Sequence, residues 1–326
     1  LVDIESISGE EKKVGDFLYD CLLPLAEKHD GRLERMKVEA DRFNIFAHWG
    51  KPVVVLSTHM DTVPPFIPSR EDEEFIWGRG ACDSKGIIAA MLQALKGLLE
   101  EGRRDLGFLL LVGEERNSAG ARCANTEPRG SRFLINGEPT ENKLALGSKG
   151  ALRLEIEAFG KMAHSAYPEL GESAITKLLD SLAALNDISW PRDPVLGDCT
   201  CNIGSIMGGR APNVIPDYAR AEVMIRLVGE SEGLKKQVLT ALGSRVNTRV
   251  VLEVPPVRLE TIPGFETTVV KFTTDIPELA RWGQPFLLGP GTIQVAHTAE
   301  ERVPKNQLLE AVSMYQQIVK ELQGRE

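Results

Sequence analysis

No apolar run in this 326-residue chain approaches the roughly 18 residues needed to cross a bilayer, and there is no internal repeat or low-complexity tract. Basic residues are in the minority, 38 Lys and Arg against 47 Asp and Glu, for a net charge of -9 with mixed signs. Nothing in that balance looks like the basic face nucleic acid needs, and it mildly disfavours anionic lipid as a partner. Cysteine is scarce and odd in number: Cys21, Cys82, Cys123, Cys199 and Cys201, with no pair at zinc-finger spacing. Free thiols in a reducing cytosol are the expectation. Leu1-Val2-Asp3-Ile4-Glu5 has neither the basic region nor the apolar core of a signal peptide, so a cytoplasmic chain is expected, although the first residue is not methionine.

What is present is 42% apolar content in a chain long enough for two domains. The first half alternates strand and helix patterns. Pro52 to Ser57, Gly107 to Val112 and Arg132 to Asn136 read as buried strands. Ile87, Ile88, Met91, Leu92, Leu95, Leu98 and Leu99 recur at helical spacing, with Asp83 or Ser84 placed as an N-cap. This is an α/β sheet flanked by helices.

From about Gly150 the pattern becomes α+β. Ala151 to Phe159 alternates, a helix is expected over 172–185, and a strand near 202–206. Ala219, Ala221, Val223, Ile225 and Leu227 alternate with polar residues, then come a helix over 230–243 and a strand over 249–254. The order βαββαβ is ferredoxin-like. The expected division is therefore a discontinuous catalytic domain, 1–149 and 261–326, with 150–260 inserted. A helix over 305–323 closes the chain.

Five segments end in metal-binding side chains: Ser57 to Asp61, Gly78 to Gly86, Gly113-Glu114-Glu115, Gly137 to Thr140, and Ala296-His297-Thr298. Each of His59, Glu114 with Glu115, and Glu138 follows a strand, where open α/β sheets gather ligands. Two histidines with several carboxylates suit hydrolytic zinc, and the surplus of acids suits two cations with one acid left as a base. Asp61, two residues after His59, can accept the second imidazole N–H. Asp83 reads either as a ligand to two cations or as a helix cap. Glu114 and Glu115 end an apolar strand, where charge is costly without a cation. Cys82 reads as a packed thiol.

Together, His59 to Pro64, Gly78 to Gly86, Glu114-Glu115, Gly137 to Thr140 and Ala296 to Thr298 resemble the di-zinc amidohydrolases of the acetylornithine deacetylase, succinyl-diaminopimelate desuccinylase, aminoacylase and glutamate carboxypeptidase family. The resemblance implies that one zinc takes His59 and Glu138, the other Glu115 and His297, and Asp83 bridges them. It implies Glu114 as base and proton shuttle and Asp61 as the group orienting His59. The insertion resembles the family's lid and dimerisation domain. There, His164, in Gly160 to Ser165, would stabilise the oxyanion in a homodimer. Asn213 and Arg226 would hold a substrate carboxylate, and Gly291 and Thr292, in Gly289 to Thr292, would face the substrate.

The implied activity is hydrolysis of an N-acyl amino acid with two divalent cations, zinc foremost, cobalt or manganese substituting. Within the family the look is closest to acetylornithine deacetylase. Acetyl-lysine deacetylase, succinyl-diaminopimelate desuccinylase and a metallo-aminopeptidase or dipeptidase remain alternatives. A non-catalytic metal-binding interaction protein is the reading from another class.

Overall fold

The computed structural model describes residues 1–325. The chain forms two compact units: Leu1–Leu146, Leu259–Thr268 and Thr274–Glu326 make one, Gly147–Arg258 and Val269–Thr273 the other.

The first unit is built on a six-stranded sheet. Its order is Arg32–Glu39, Arg42–Trp49, Leu106–Leu111, Val54–His59, Phe133–Asn136, Gln284–Leu287. The last four strands in that order run parallel, and the first two form an antiparallel hairpin at one edge. The parallel strands Val54–His59, Leu106–Leu111 and Phe133–Asn136 are buried along their whole length. That is why they appear as continuous apolar runs instead of alternating ones. The Lys85–Glu100 helix buries Ile87, Ile88, Met91, Leu95, Leu98 and Leu99, each contributing about 1.5–3 kcal/mol relative to exposure. The Lys12–Lys28 and Lys305–Gln323 helices add their apolar faces, through Leu18, Leu22, Tyr315 and Ile318, to the same core.

The helix-cap expectation holds in position but not in bonding. Ser84 occupies the N-cap of Lys85–Glu100 but makes no capping bond. Its hydroxyl instead donates to the His59 carbonyl at 2.6 Å and accepts from Thr58 Oγ1 at 2.9 Å. The hydroxyl thus braces the end of the neighbouring strand, and the Asp83 carboxylate is left to face the histidines.

The second unit has four antiparallel strands in the order Thr200–Gly208, Tyr218–Leu227, Gly150–Phe159, Asn247–Val254. With helices Ala174–Ala183 and Ser231–Leu242 between them, this is the ferredoxin-like arrangement. Ala219, Ala221, Val223, Ile225 and Leu227 point into its core, and the polar residues between them are half-buried. Thr200–Gly208 is an edge strand with Ile203, Ile206 and Met207 exposed. No helix among the described residues is long and apolar enough to cross a membrane.

Candidate metal centre

The parallel strands of the first unit end side by side, and the chain turns out of the sheet carrying acids and histidines. Val54–His59 delivers His59, 1% exposed, at its last position. His59 Nδ1 lies 3.0 Å from the Asp61 carbonyl, which can only accept, so Nδ1 carries the proton and Nε2 faces Asp83. The expectation for Asp61 is refined: its carboxylate stands 3.6 Å from the ring. Its closer partners are Ser8 Oγ at 2.6 Å and the amides of Gly113, Glu114 and Glu115 at 3.0 to 3.2 Å. Asp61 therefore orients His59 mainly through its backbone. Its carboxylate anchors the turn that presents the paired glutamates.

Asp83 is buried in the loop after Gly78 and Gly80, whose φ of 131° and 83° a side chain would resist. Its two oxygens address different histidines: Oδ1 is 2.9 Å from His59 Nε2, Oδ2 3.4 Å from His297 Nε2. His297 Nε2 also meets Glu115 Oε1 at 2.9 Å. His59, Asp83 and Glu115 each offer a ligand atom, all within 4.8 Å of one another. His297 has a backbone φ of 65°, a strained value for a non-glycine residue. Glu138 is buried, and its Oε1 has no hydrogen-bond partner.

The electrostatics are those of an acid cluster. Burial, then the charge of Glu138, pushes the Glu114 carboxyl well above the usual range. Burial, then Asp83, does the same to Glu138. Glu115 is raised by burial and by Asp83. Hydrogen bonds to Asp83 and Glu115 lift His297 to about 10. Burial opposes charge on His59, yet Asp61 and Asp83 hold its pKa well above normal. An orphaned carboxylate oxygen and an excess of buried negative charge with imidazole nitrogens are what divalent metal ions satisfy, so the residues fit such ions.

A model of the peptidase family M20/M25/M40 matches residues 55–321. This chain belongs to that family. A probable carboxypeptidase of Aspergillus terreus is 38% identical over 98% of this chain and 84% of its own length. A tripeptidase structure from Staphylococcus aureus superposes with a TM-score of 0.82 at 23% identity, covering 98% of this chain and 95% of that one. A Bacillus subtilis protein described as a dinuclear metal-binding M20 peptidase gives 0.70 at 15% identity, covering 100% and 96%. The chain is accordingly an M20 hydrolase of the metallopeptidase and amidohydrolase type.

The remaining expected residues of the M20 site divide by unit. Gly291 and Thr292 belong to the first. Gly291 N donates to Gln307 Oε1 at 2.8 Å, its carbonyl accepts from Glu141 N at 2.8 Å, and Thr292 O accepts from the Cys82 thiol. This loop and the buried Cys82 pack against the ligand loops, and burial raises the Cys82 thiol pKa well above normal. In the second unit, His164 and Val214 are paired across a short antiparallel bridge, and Ser165 N donates to Asn213 O at 3.0 Å. His164 is exposed, and its Nδ1 accepts from Ala166 N at 3.1 Å, leaving Nε2–H outward as a donor. Asn213 is likewise exposed.

Arg226 lies at the far end of Tyr218–Leu227, about 26 Å along the strand from Tyr218 at roughly 3.3 Å per residue. Asn213 precedes the Tyr218 end, so one chain places the two expected carboxylate ligands apart. Burial lowers the Arg226 pKa and no neighbouring acid offsets it.

Three contributors were absent from the expected set. Asp275, 1% exposed, is raised to about 7, by burial foremost, despite a hydrogen bond with Ser118. Arg79 and Glu301 form a buried ion pair beside the ligand loops. Arg79 was visible inside the Gly78 to Gly86 segment. Asp275 and Glu301 carried no local pattern.

Proposed function

We propose that this M20 hydrolase cleaves the amide bond between an acyl or peptidyl group and an amino acid whose α-carboxylate is free. The observation that carries the reading is Asp83, one oxygen to each histidine, with Glu115 in the same cluster and Glu138 near enough to feel its charge. In this reading two divalent cations, zinc foremost, would be held by these residues, His59 and Glu138 serving one, Glu115 and His297 the other, and Asp83 both. Bound there, such cations supply Lewis acidity, polarising the scissile carbonyl and making water easier to deprotonate.

The chain's own residues do the proton work. The ring nitrogens of the two histidines pair with Asp61, Asp83 and Glu115, which leaves the Glu114 carboxyl outside the ligand set. Glu114 takes the proton from the attacking water, holds it, and passes it to the nitrogen of the leaving amine. Asp61 keeps Glu114 in place by holding its amide. The outward Nε2–H of His164 donates to the developing oxyanion. Arg226, half-buried with no acid to neutralise it, grips the α-carboxylate.

An N-acetyl amino acid such as acetylornithine and a short peptide cut at its carboxyl end share this leaving group. The carboxypeptidase name of the fungal relative favours peptidyl acyl groups beside the acetyl group. A homodimer is part of the proposal, formed through the second unit. The exposed Ile203, Ile206 and Met207 on an open edge strand support it, since such edges are ordinarily covered.

The test is reconstitution with zinc or cobalt at neutral pH, elemental analysis, and turnover on N-acyl amino acids and C-terminally free dipeptides. About two cations per chain with turnover on at least one class is expected. A chain that keeps only trace metal, or that binds metal and hydrolyses neither class, overturns the reading.

A further inference from the structure

Asp83 and His297 approach to 3.4 Å although they lie on loops more than 200 residues apart, and His297 does so with a strained backbone. Something must hold these loops in register. Glu301, 1% exposed, and Arg79, 2% exposed, lie between them. Arg79 Nη1 donates to Glu301 Oε2 at 2.5 Å and to the Thr298 carbonyl at 3.3 Å, and Nε donates to the Pro65 carbonyl at 3.2 Å. The other oxygen of Glu301, Oε1, accepts three amides: Gly80 at 2.8 Å, Asp83 at 3.2 Å and Cys82 at 3.3 Å. The Glu301 carbonyl accepts a fourth, from Gly78, at 3.0 Å.

Apart from their mutual ion pair and the bond from Arg79 to Pro65, on the segment that follows His59, these contacts go to main-chain atoms of the loops that carry Asp83 and His297. A single carboxylate thus collects the amides on one side and, through Arg79, the carbonyl next to His297 on the other. An apolar residue in its place would leave three buried amides unpaired.

We propose that Glu301, working with Arg79, is a positioning residue that sets the Asp83 carboxylate against His297 and thereby the strength of cation binding. This rests on the reading of the site as a two-cation centre. It concerns the cation affinity of the centre, whatever amide the site cleaves. Substitutions of groups that orient metal ligands from outside cost about 10–100-fold in metal affinity, and that is the size expected here.

The experiment compares the parent with Glu301→Ala, which removes the amide acceptor, Glu301→Gln, which keeps the acceptor but not the charge facing Arg79, and Arg79→Lys. Cobalt is titrated against a competing chelator, the visible spectrum of bound cobalt is recorded, and folding is checked by urea denaturation at the same pH. Affinity should fall about 10–100-fold in Glu301→Ala and less in Glu301→Gln, with an altered cobalt spectrum, in samples that remain folded. If Glu301→Ala does not fold, Glu301→Gln and Arg79→Lys carry the test. Parent-like affinity and spectrum in the folded variants overturn the proposal. A parent that binds two cobalt ions but cleaves no amide sinks the catalytic reading and leaves this test standing. A parent that binds none overturns both.

Discussion

Stripping the cations should make the first unit lose stability as pH rises, the reverse of ordinary acid denaturation. The groups responsible are those whose folded pKa is raised. Asp275 moves from 3.8 to about 7, chiefly by burial. Between those values the folded chain keeps a proton that the unfolded chain has released. Stability then falls by about 1.4 kcal/mol per pH unit for this one group. From pH 5 to 7 that is on the order of 3 kcal/mol. Glu114 and Glu138, also raised by burial, act with the same sign. His297, raised to about 10 by Asp83 and Glu115, adds to the loss above its unfolded value of 6.5. Asp61 and Asp83, whose pKa values are lowered, change protonation only in acid and leave this window untouched.

The assay is urea denaturation with excess chelator at pH 5, 6, 7 and 8, repeated with zinc. Trp49 and Trp282, fully buried in this unit, supply the fluorescence signal. The chelated midpoint should fall steadily, and the gain from zinc should grow with pH, because ligands must be deprotonated to bind. Asp275→Asn should remove about 1.4 kcal/mol per pH unit of the decline below pH 7. A chelated midpoint that is flat or rises from pH 5 to 8 refutes the reasoning.

Glu114→Gln should lower kcat by about 100- to 10,000-fold with cation content retained, whereas Glu115→Gln should weaken cation binding; equilibrium dialysis with steady-state kinetics reads both, and the opposite pattern exchanges the two roles. Arg226→Ala should raise KM for substrates with a free carboxylate while leaving esters of the same substrates little affected; equal cleavage of free and esterified substrates by the parent removes the case for Arg226. His164→Ala should lower kcat by roughly 100-fold with little change in KM, as expected for a donor that acts in the transition state. Mixing it with inactive Glu114→Ala under subunit exchange should restore part of the activity if His164 serves a neighbouring chain, and no recovery despite exchange assigns it to its own chain.

Much of this protein was written along the chain. The Lys305–Gln323 helix and the alternating Tyr218–Leu227 strand follow from periodicity, because a helix or strand buries one side of a local repeat. The set of candidate ligands followed from residue type and from position after apolar strands, since parallel strands must release the chain at one edge of the sheet. The Arg32–Trp49 hairpin was not legible, because its strands mix charge with apolar residues at a sheet edge.

Tertiary structure alone decided which atoms meet. Ser84 gives up a cap to brace the His59 strand, Asp61 turns its carboxylate toward three amides, and Asp83 divides its oxygens between two histidines. The same holds for Asp275 and Glu301. Neither belongs to a motif, and each acquires its character from burial beside segments distant in sequence. Periodicity is a property of neighbours in the chain. The field and the hydrogen bonds at a buried carboxylate depend on distances that exist only after the sheet has brought its loops together.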